Sequence, residues 1–166
     1  MFPKILEELE KSGGLAAFRR PGGHTLIALD GTEYFSSDTI HCAQCSTRRR
    51  SNAKVKYHHT MLAASIVAPG HNQVVPLEPE FIVPQDGAEK QDCESRAARR
   101  WLGAHGAQYA HLKPIYLGDD LFSNQPICQA VLDAGGHFIF TCKPSSHKTI
   151  MEYIQADRVK KYVTNS

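Results

Sequence analysis

The stretch HTLIALDGTEYF, residues 24–35, decides how the fold is read. Leu26, Ile27, Ala28 and Leu29 form an unbroken apolar run, the pattern of a strand buried on both faces. Asp30 stands where that run stops and Gly31 follows it. An Asp-Gly pair at this point is a turn signal. It is equally a ligand position, since open α/β sheets bind ligands at the carboxyl ends of their strands.

On the N-terminal side, residues 3–11 read as a short helix with Ile5, Leu6 and Leu9 at helical spacing, ended by Gly13 and Gly14. RRPGG (19–23) is a turn. On the C-terminal side, the polar stretch 36–56, with IHCAQC and STRRRSNAK, reads as a long loop of the kind that often carries function. YHHTMLAASIVAPG (57–70) reads as a strand closed by a Pro69-Gly70 turn. NQVVPLEPEFIV (72–83) reads as a third strand, at an edge because of Pro76 and Pro79. The three form an antiparallel meander.

Residues 85–87 break the chain. A helix is expected from 88 to about 105, with Cys93, Ala97, Trp101 and Ala104 as its apolar stripe and Arg96, Arg99 and Arg100 mostly off it. Trp101 reads as a core anchor. LKPIYLGDD (112–120) is a short strand with Asp119 at its end. The following helix has Ser123 or Asn124 as its cap, Pro126 in its first turn and Gly135-Gly136 as its stop. HFIFTC (137–142) reads as a buried strand, and SSHKTIMEYIQ (145–155) as a helix capped by Ser145 or Ser146. The tail 157–166 is expected to fray. The chain is therefore α/β: three antiparallel strands, then two parallel strands alternating with helices that cover both faces of a mixed sheet. It divides into a short N-terminal helix and linker (1–23), a main domain (24–156) and the tail.

The totals fit one globular domain. The chain has 166 residues, 42% hydrophobic and 22% charged. No apolar run is long enough for a bilayer, and the N-terminus lacks the apolar region of a secretory signal. A cytoplasmic location without membrane partners is the expectation. A net charge of +2 is too mild to argue nucleic-acid binding alone. Five scattered cysteines, an odd number, read as reduced thiols rather than a disulfide framework.

Two constellations carry chemistry. If the first and fourth strands lie side by side and parallel, the carboxylates of Asp30 and Asp119 meet at one end of the sheet. Two such acids repel unless a cation separates them. Mg²⁺ prefers hard oxygen ligands of this kind, and two such ions support phosphodiester cleavage. The second constellation is the lone CxxC of Cys42 and Cys45. These are either reduced loop cysteines or half of a zinc site, which Cys93 or one of the histidines could complete. His58 and His59 are expected along a strand, one inward and one outward. Arg48, Arg49 and Arg50 with Lys54 and Lys56 form a basic run that is either a solvated loop or a contact for DNA phosphates. Lys143 is a further residue within reach of a phosphate.

The segments LIALDGTEYFSS, IHCAQC, YHHTMLAASIVAPGHNQVVPLEPEFI, KQDCESRAARRWL and YLGDDLFSNQPICQAVLDAGGHFIFTCKP occur in this order. Over residues 26–148 the chain resembles the catalytic domain of DDE transposases from bacterial insertion sequences. The resemblance implies a ribonuclease-H-like fold and DNA transposition with Mg²⁺ (or Mn²⁺). A metal-activated water cuts at transposon ends, and the freed 3′ hydroxyl attacks target DNA. It implies Asp30, in LDGT, as the first metal-binding acid. The second falls in GDDL and selects Asp119, with Asp120 as fallback. The family's third acid is a Glu on a late helix, often beyond an inserted strand-rich segment. This sequence stops about where that segment is expected to begin, so the domain reads as truncated and lacking the third acid, with 1–23 as a remnant; Glu152 is the one candidate left for it. The full-length enzyme of such a family is open to homo-oligomerisation. Two other readings stand beside it: a non-catalytic relic or DNA-binding module, and a compact metal-dependent nuclease using Asp30, Asp119 and Glu152.

Overall fold

A computed structural model describes residues 1–49, 54–83 and 92–155. Arg50, the expected start of a helix at 88 and the tail 157–166 lie outside the described residues. The centre of the fold is β1 (Thr25–Ser37), which pairs antiparallel with β3 (Val55–Val67) from Leu26–Val67 to Ser37–Tyr57. The register shifts once, between Glu33 and Phe35, which leaves Tyr34 as a bulge. On its other side β1 pairs in parallel with β6 (Pro114–Gly118), and β6 in turn with β7 (His137–Phe140). The sheet is thus mixed, and with β2 (Ser46–Arg49) beyond β3 its order is β2-β3-β1-β6-β7.

The stretch 36–56 departs from the expected loop. β1 continues to Ser37, and β2 (Ser46–Arg49) pairs with the start of β3. Thr32, Tyr34 and Phe35 are β-formers, which extends β1 beyond the apolar run that announced it. The expected third strand is two short ones, β4 (Val75–Pro76) and β5 (Glu80–Ile82), separated by the Pro79 region. Prolines offer no N–H to a ladder, so continuous pairing is lost there. β2, β5 and β4 lie one after another along the same edge of β3.

The helix α2 (Glu94–His105) begins with Cys93 as its N-cap. Its buried stripe is Ala97, Ala98, Trp101 and Leu102, and both Cys93 and Ala104 are exposed, so the expected stripe is rotated by about one residue. Trp101 is fully buried, as expected for a core anchor. It stacks on Tyr109, meets Tyr116 edge-on, and its indole N–H donates to the Glu78 carbonyl at 2.6 Å. Indole needs that partner, because an unmade bond at a buried N–H costs about 1–3 kcal/mol. α3 (Gln125–Asp133) is capped by Asn124, whose side-chain oxygen accepts the Ile127 N–H at 3.3 Å. Gly135 stops it at φ 75°, a left-handed position that favours glycine.

The N-terminal helix α1 (Phe2–Lys11) and the single-turn helix Gly14–Phe18 contribute Leu6, Leu15 and Phe18 to the same core as Ile27, Leu62 and Trp101. Strand β7 is not buried. Phe138 and Ile139 are exposed, because no described strand pairs beyond it. On β1 only Thr25, Ile27 and Leu29 are sealed, while Leu26 and Ala28 are half-buried. α4 (Lys148–Gln155) follows β7. No described helix is long and apolar enough to cross a membrane.

A candidate carboxylate site where β6 ends beside β1

The parallel register runs from Thr25–Pro114 to Ala28–Leu117. Continuing it by two residues sets Asp30 beside Asp119, on strands that neighbour one another at about 4.8 Å. Both residues are exposed. Asp119 follows β6 directly, and one of its carboxylate oxygens accepts the Leu121 N–H at 2.9 Å. That bond is a local turn, as the Asp-rich sequence allows. It occupies one oxygen and leaves the other.

Asp120 is differently committed. Its carboxylate accepts the Lys143 N–H at 2.5 Å and the Ser146 hydroxyl at 2.6 Å, and His147 Nε2 stands 3.2 Å away. The Ser146 hydroxyl and then the Lys143 N–H hold this carboxyl below the usual range. Asp120 therefore fastens the end of β6 to the segment after β7. The Ser146 hydroxyl, expected as a helix cap, is spent on it.

The residue that sequence reasoning missed is Glu94, in the first turn of α2. It is half-buried. Burial pushes its carboxyl up, and the negative charges of Asp119 and Asp30 push it further the same way. Three acids from three elements thus share one electrostatic neighbourhood. The close approach of Glu94 to β1 depends on Gly31. A Cβ there would stand 2.2 Å from the Glu94 carboxyl carbon. An LDGT sequence therefore does two things: Asp30 supplies charge and Gly31 leaves room for a second acid. The signal in the sequence was faint, a Glu in KQDCESRA at a helix start.

A cleft of about 380 Å³ runs from this acid towards β2. Its walls include Glu94, Asp92, Leu121, His58, Thr47 and Arg48. Arg48 and Arg49 are exposed on the edge strand β2 rather than in a loop, and Arg48 also lies 3.9 Å from Glu33. Lys54 and Lys143 are exposed as well. Lys56, by contrast, is paired with Glu33 at 2.6 Å. Arg100 is consumed structurally. Its guanidinium grips both oxygens of the enclosed Asp92 at 2.8 Å and reaches Glu80 at 2.7 Å. A larger hollow of about 660 Å³, lined by Arg96, Arg99 and Asp133, includes none of the three acids. Glu152 is exposed on α4.

The Cys42 and Cys45 thiols gather with His59, the outward member of the His58-His59 pair. His58 is buried. Cys93, the other expected partner, is the exposed cap of α2 and is not in this group. Comparison with family models, with curated proteins and with solved structures gave no match.

Proposed function

We propose that this chain is the catalytic part of a DDE-type transposase with a ribonuclease-H-like fold. In this reading it cuts DNA by metal-dependent phosphodiester hydrolysis and strand transfer. The observation that carries the proposal is the placing of Asp30 and Asp119 on neighbouring strands with Glu94 near enough to feel both charges, its carboxyl pushed up first by burial and then by Asp119 and Asp30. Charge repulsion of this kind has no structural benefit by itself. It is relieved by a divalent cation. The donor set is all carboxylate oxygen, which suits Mg²⁺ or Mn²⁺.

Asp30 and Asp119 would hold the ion; Glu94, which precedes Asp119 in the chain and so does not take the place of the family's late Glu, would orient a bound water. When bound, such ions activate a water and steady the leaving oxygen of a phosphodiester. The chain's own residues do the rest. Arg48, at the far wall of the cleft, pairs with a phosphate of the DNA backbone. The strand β2 presents Arg49 beside it. The turn bond from Leu121 fixes the Asp119 carboxylate in one orientation, and the commitment of Asp120 to Lys143 and Ser146 favours Asp119 as the working acid of the pair.

The test is Mn²⁺ binding by electron paramagnetic resonance, with nicking of a supercoiled plasmid in parallel. Asp30→Asn and Asp119→Asn are expected to lose Mn²⁺ binding and any nicking, and Asp120→Asn to keep Mn²⁺ binding. Undiminished Mn²⁺ binding in both Asp30→Asn and Asp119→Asn would sink the assignment.

A further inference from the structure

We propose a second metal site, for zinc, built from Cys42, Cys45 and His59. It is independent of the carboxylates. The two sulfurs lie 3.9 Å apart, and His59 Nε2 lies 3.3 Å from each. A tetrahedral zinc with Zn–S of about 2.3 Å and Zn–N of about 2.05 Å sets sulfurs roughly 3.8 Å apart and sulfur–nitrogen pairs roughly 3.5 Å apart. The observed triangle matches to within a few tenths of an ångström. It does not match a disulfide, whose sulfurs bond at about 2.05 Å.

The surroundings favour the same ion. Residues 42–45 form a turn closed by the Cys45 N–H on the Cys42 carbonyl at 3.2 Å, and the Cys42 N–H donates to Cys45 Sγ at 3.3 Å. The antiparallel register sets His59 opposite Phe35, next to the bulge at Tyr34. The Tyr34 ring stacks on the imidazole and Phe35 leans against it, so its orientation is fixed by packing. Soft thiolates with one imidazole select zinc over Mg²⁺. Three protein ligands leave a fourth position, which opens on a hollow lined by Tyr34, Phe35, Ile40 and His41. The His41 ring is stacked on Tyr57 and stands outside the three-residue ligand group, so the fourth place is left for a water.

On binding, the two thiols release their protons to solvent and become ligands. The ion then fastens the β1–β2 connection to the middle of β3. That is a structural clamp on the ribbon that carries Arg48 and Arg49.

The full chain, purified without chelator from cells supplied with zinc, is expected to hold about one zinc per chain by elemental mass spectrometry. Cys42→Ser and His59→Ala should lower that content at least about tenfold, while Cys93→Ser and Cys128→Ser retain it. Titration of the metal-free wild-type chain with Co²⁺ avoids any folding defect of the variants. It should give strong visible bands of tetrahedral cobalt with thiolate-to-metal charge transfer. A weak octahedral spectrum without charge transfer, or zinc retained by Cys42→Ser, overturns the site.

Discussion

Replacing Glu94 by Gln should make the metal-free protein more stable. The carboxylate is half-buried, and Asp30 and Asp119 repel it. Its folded-state affinity for a proton is raised above the unfolded value. The stability it contributes is therefore full below the unfolded Glu range, about pH 4.3, and lost as pH rises through the folded value. At neutral pH the folded chain bears that loss, and a neutral amide of the same shape removes it. Solvent reaches the side chain and screens the repulsion, so the gain is about 0.5–1 kcal/mol, at the lower part of what single stabilising changes supply. In a chain of this size that is roughly 1–4 °C in melting temperature. Urea unfolding at pH 7 and pH 4 without divalent ions measures it. The gain should shrink at pH 4, and it should add only in part to that of Asp119→Asn, because both changes relieve the Glu94–Asp119 repulsion while only Glu94→Gln removes the buried charge. With Mg²⁺ at about ten times its dissociation constant, wild type gains about 1.4 kcal/mol by linkage. A Glu94→Gln protein that is less stable than wild type at pH 7 without metal would refute the reasoning.

Two further outcomes follow from named contacts. Gly31→Ala places a methyl against the Glu94 carboxyl, which must retreat by roughly 1 Å to reach van der Waals distance. A displacement of that size lowers nicking by up to about 100-fold, while unfolding free energy moves by less than about 1 kcal/mol; unchanged nicking would remove Glu94 from the site. Asp92→Ala takes from Arg100 its two-oxygen partner and leaves it Glu80 and the Phe81 carbonyl. The Asp92 side chain is fully enclosed, but that of Arg100 is 41% exposed, so the loss is about 2–3 kcal/mol rather than the 3–5 of a fully buried pair. Burial alone would push the Asp92 carboxyl up, but Arg100 and the Val83 and Cys93 N–H groups outweigh it and hold it below the usual range. Its stability is present above about pH 3.9 and disappears as pH falls through the depressed value. An acid titration of unfolding therefore separates wild type from Asp92→Asn near neutrality and brings them together at low pH.

The mixed sheet was legible because apolar runs and turn residues are local signals. LIAL announced β1, and Pro126 with Gly135 bracketed α3. What escaped was set by pairing. Residues 46–49 are too polar to announce a strand and are one because β3 offers them an edge. Phe138 and Ile139 read as buried, yet the strand carrying them ends the described sheet. At the site, the ends of apolar runs marked Asp30 and Asp119, although β1 itself carries on past Asp30 to Ser37, but no periodicity marks Glu94. Its part depends on a gap left by Gly31, some sixty positions earlier in the chain. His59 could be named only as one of several histidines, since the register that sets it against Cys42 and Cys45 exists only in the folded sheet.

Strand β1 outlasts one of its neighbours. β6 pairs only with Thr25–Ala28, whereas β3 accompanies β1 to Ser37. The sheet therefore forks just before Asp30. One tine stops at Gly118, and the other continues as a ribbon for seven residues past Asp30, roughly 20 Å at strand rise. Such a ribbon acts as a cantilever. Its root carries the acids and its outer half carries Arg48 and Arg49 on β2. The span between acid and base is counted out in residues along β1 and β3, so a single insertion or deletion between positions 31 and 37 would reset it without altering any side chain at either end.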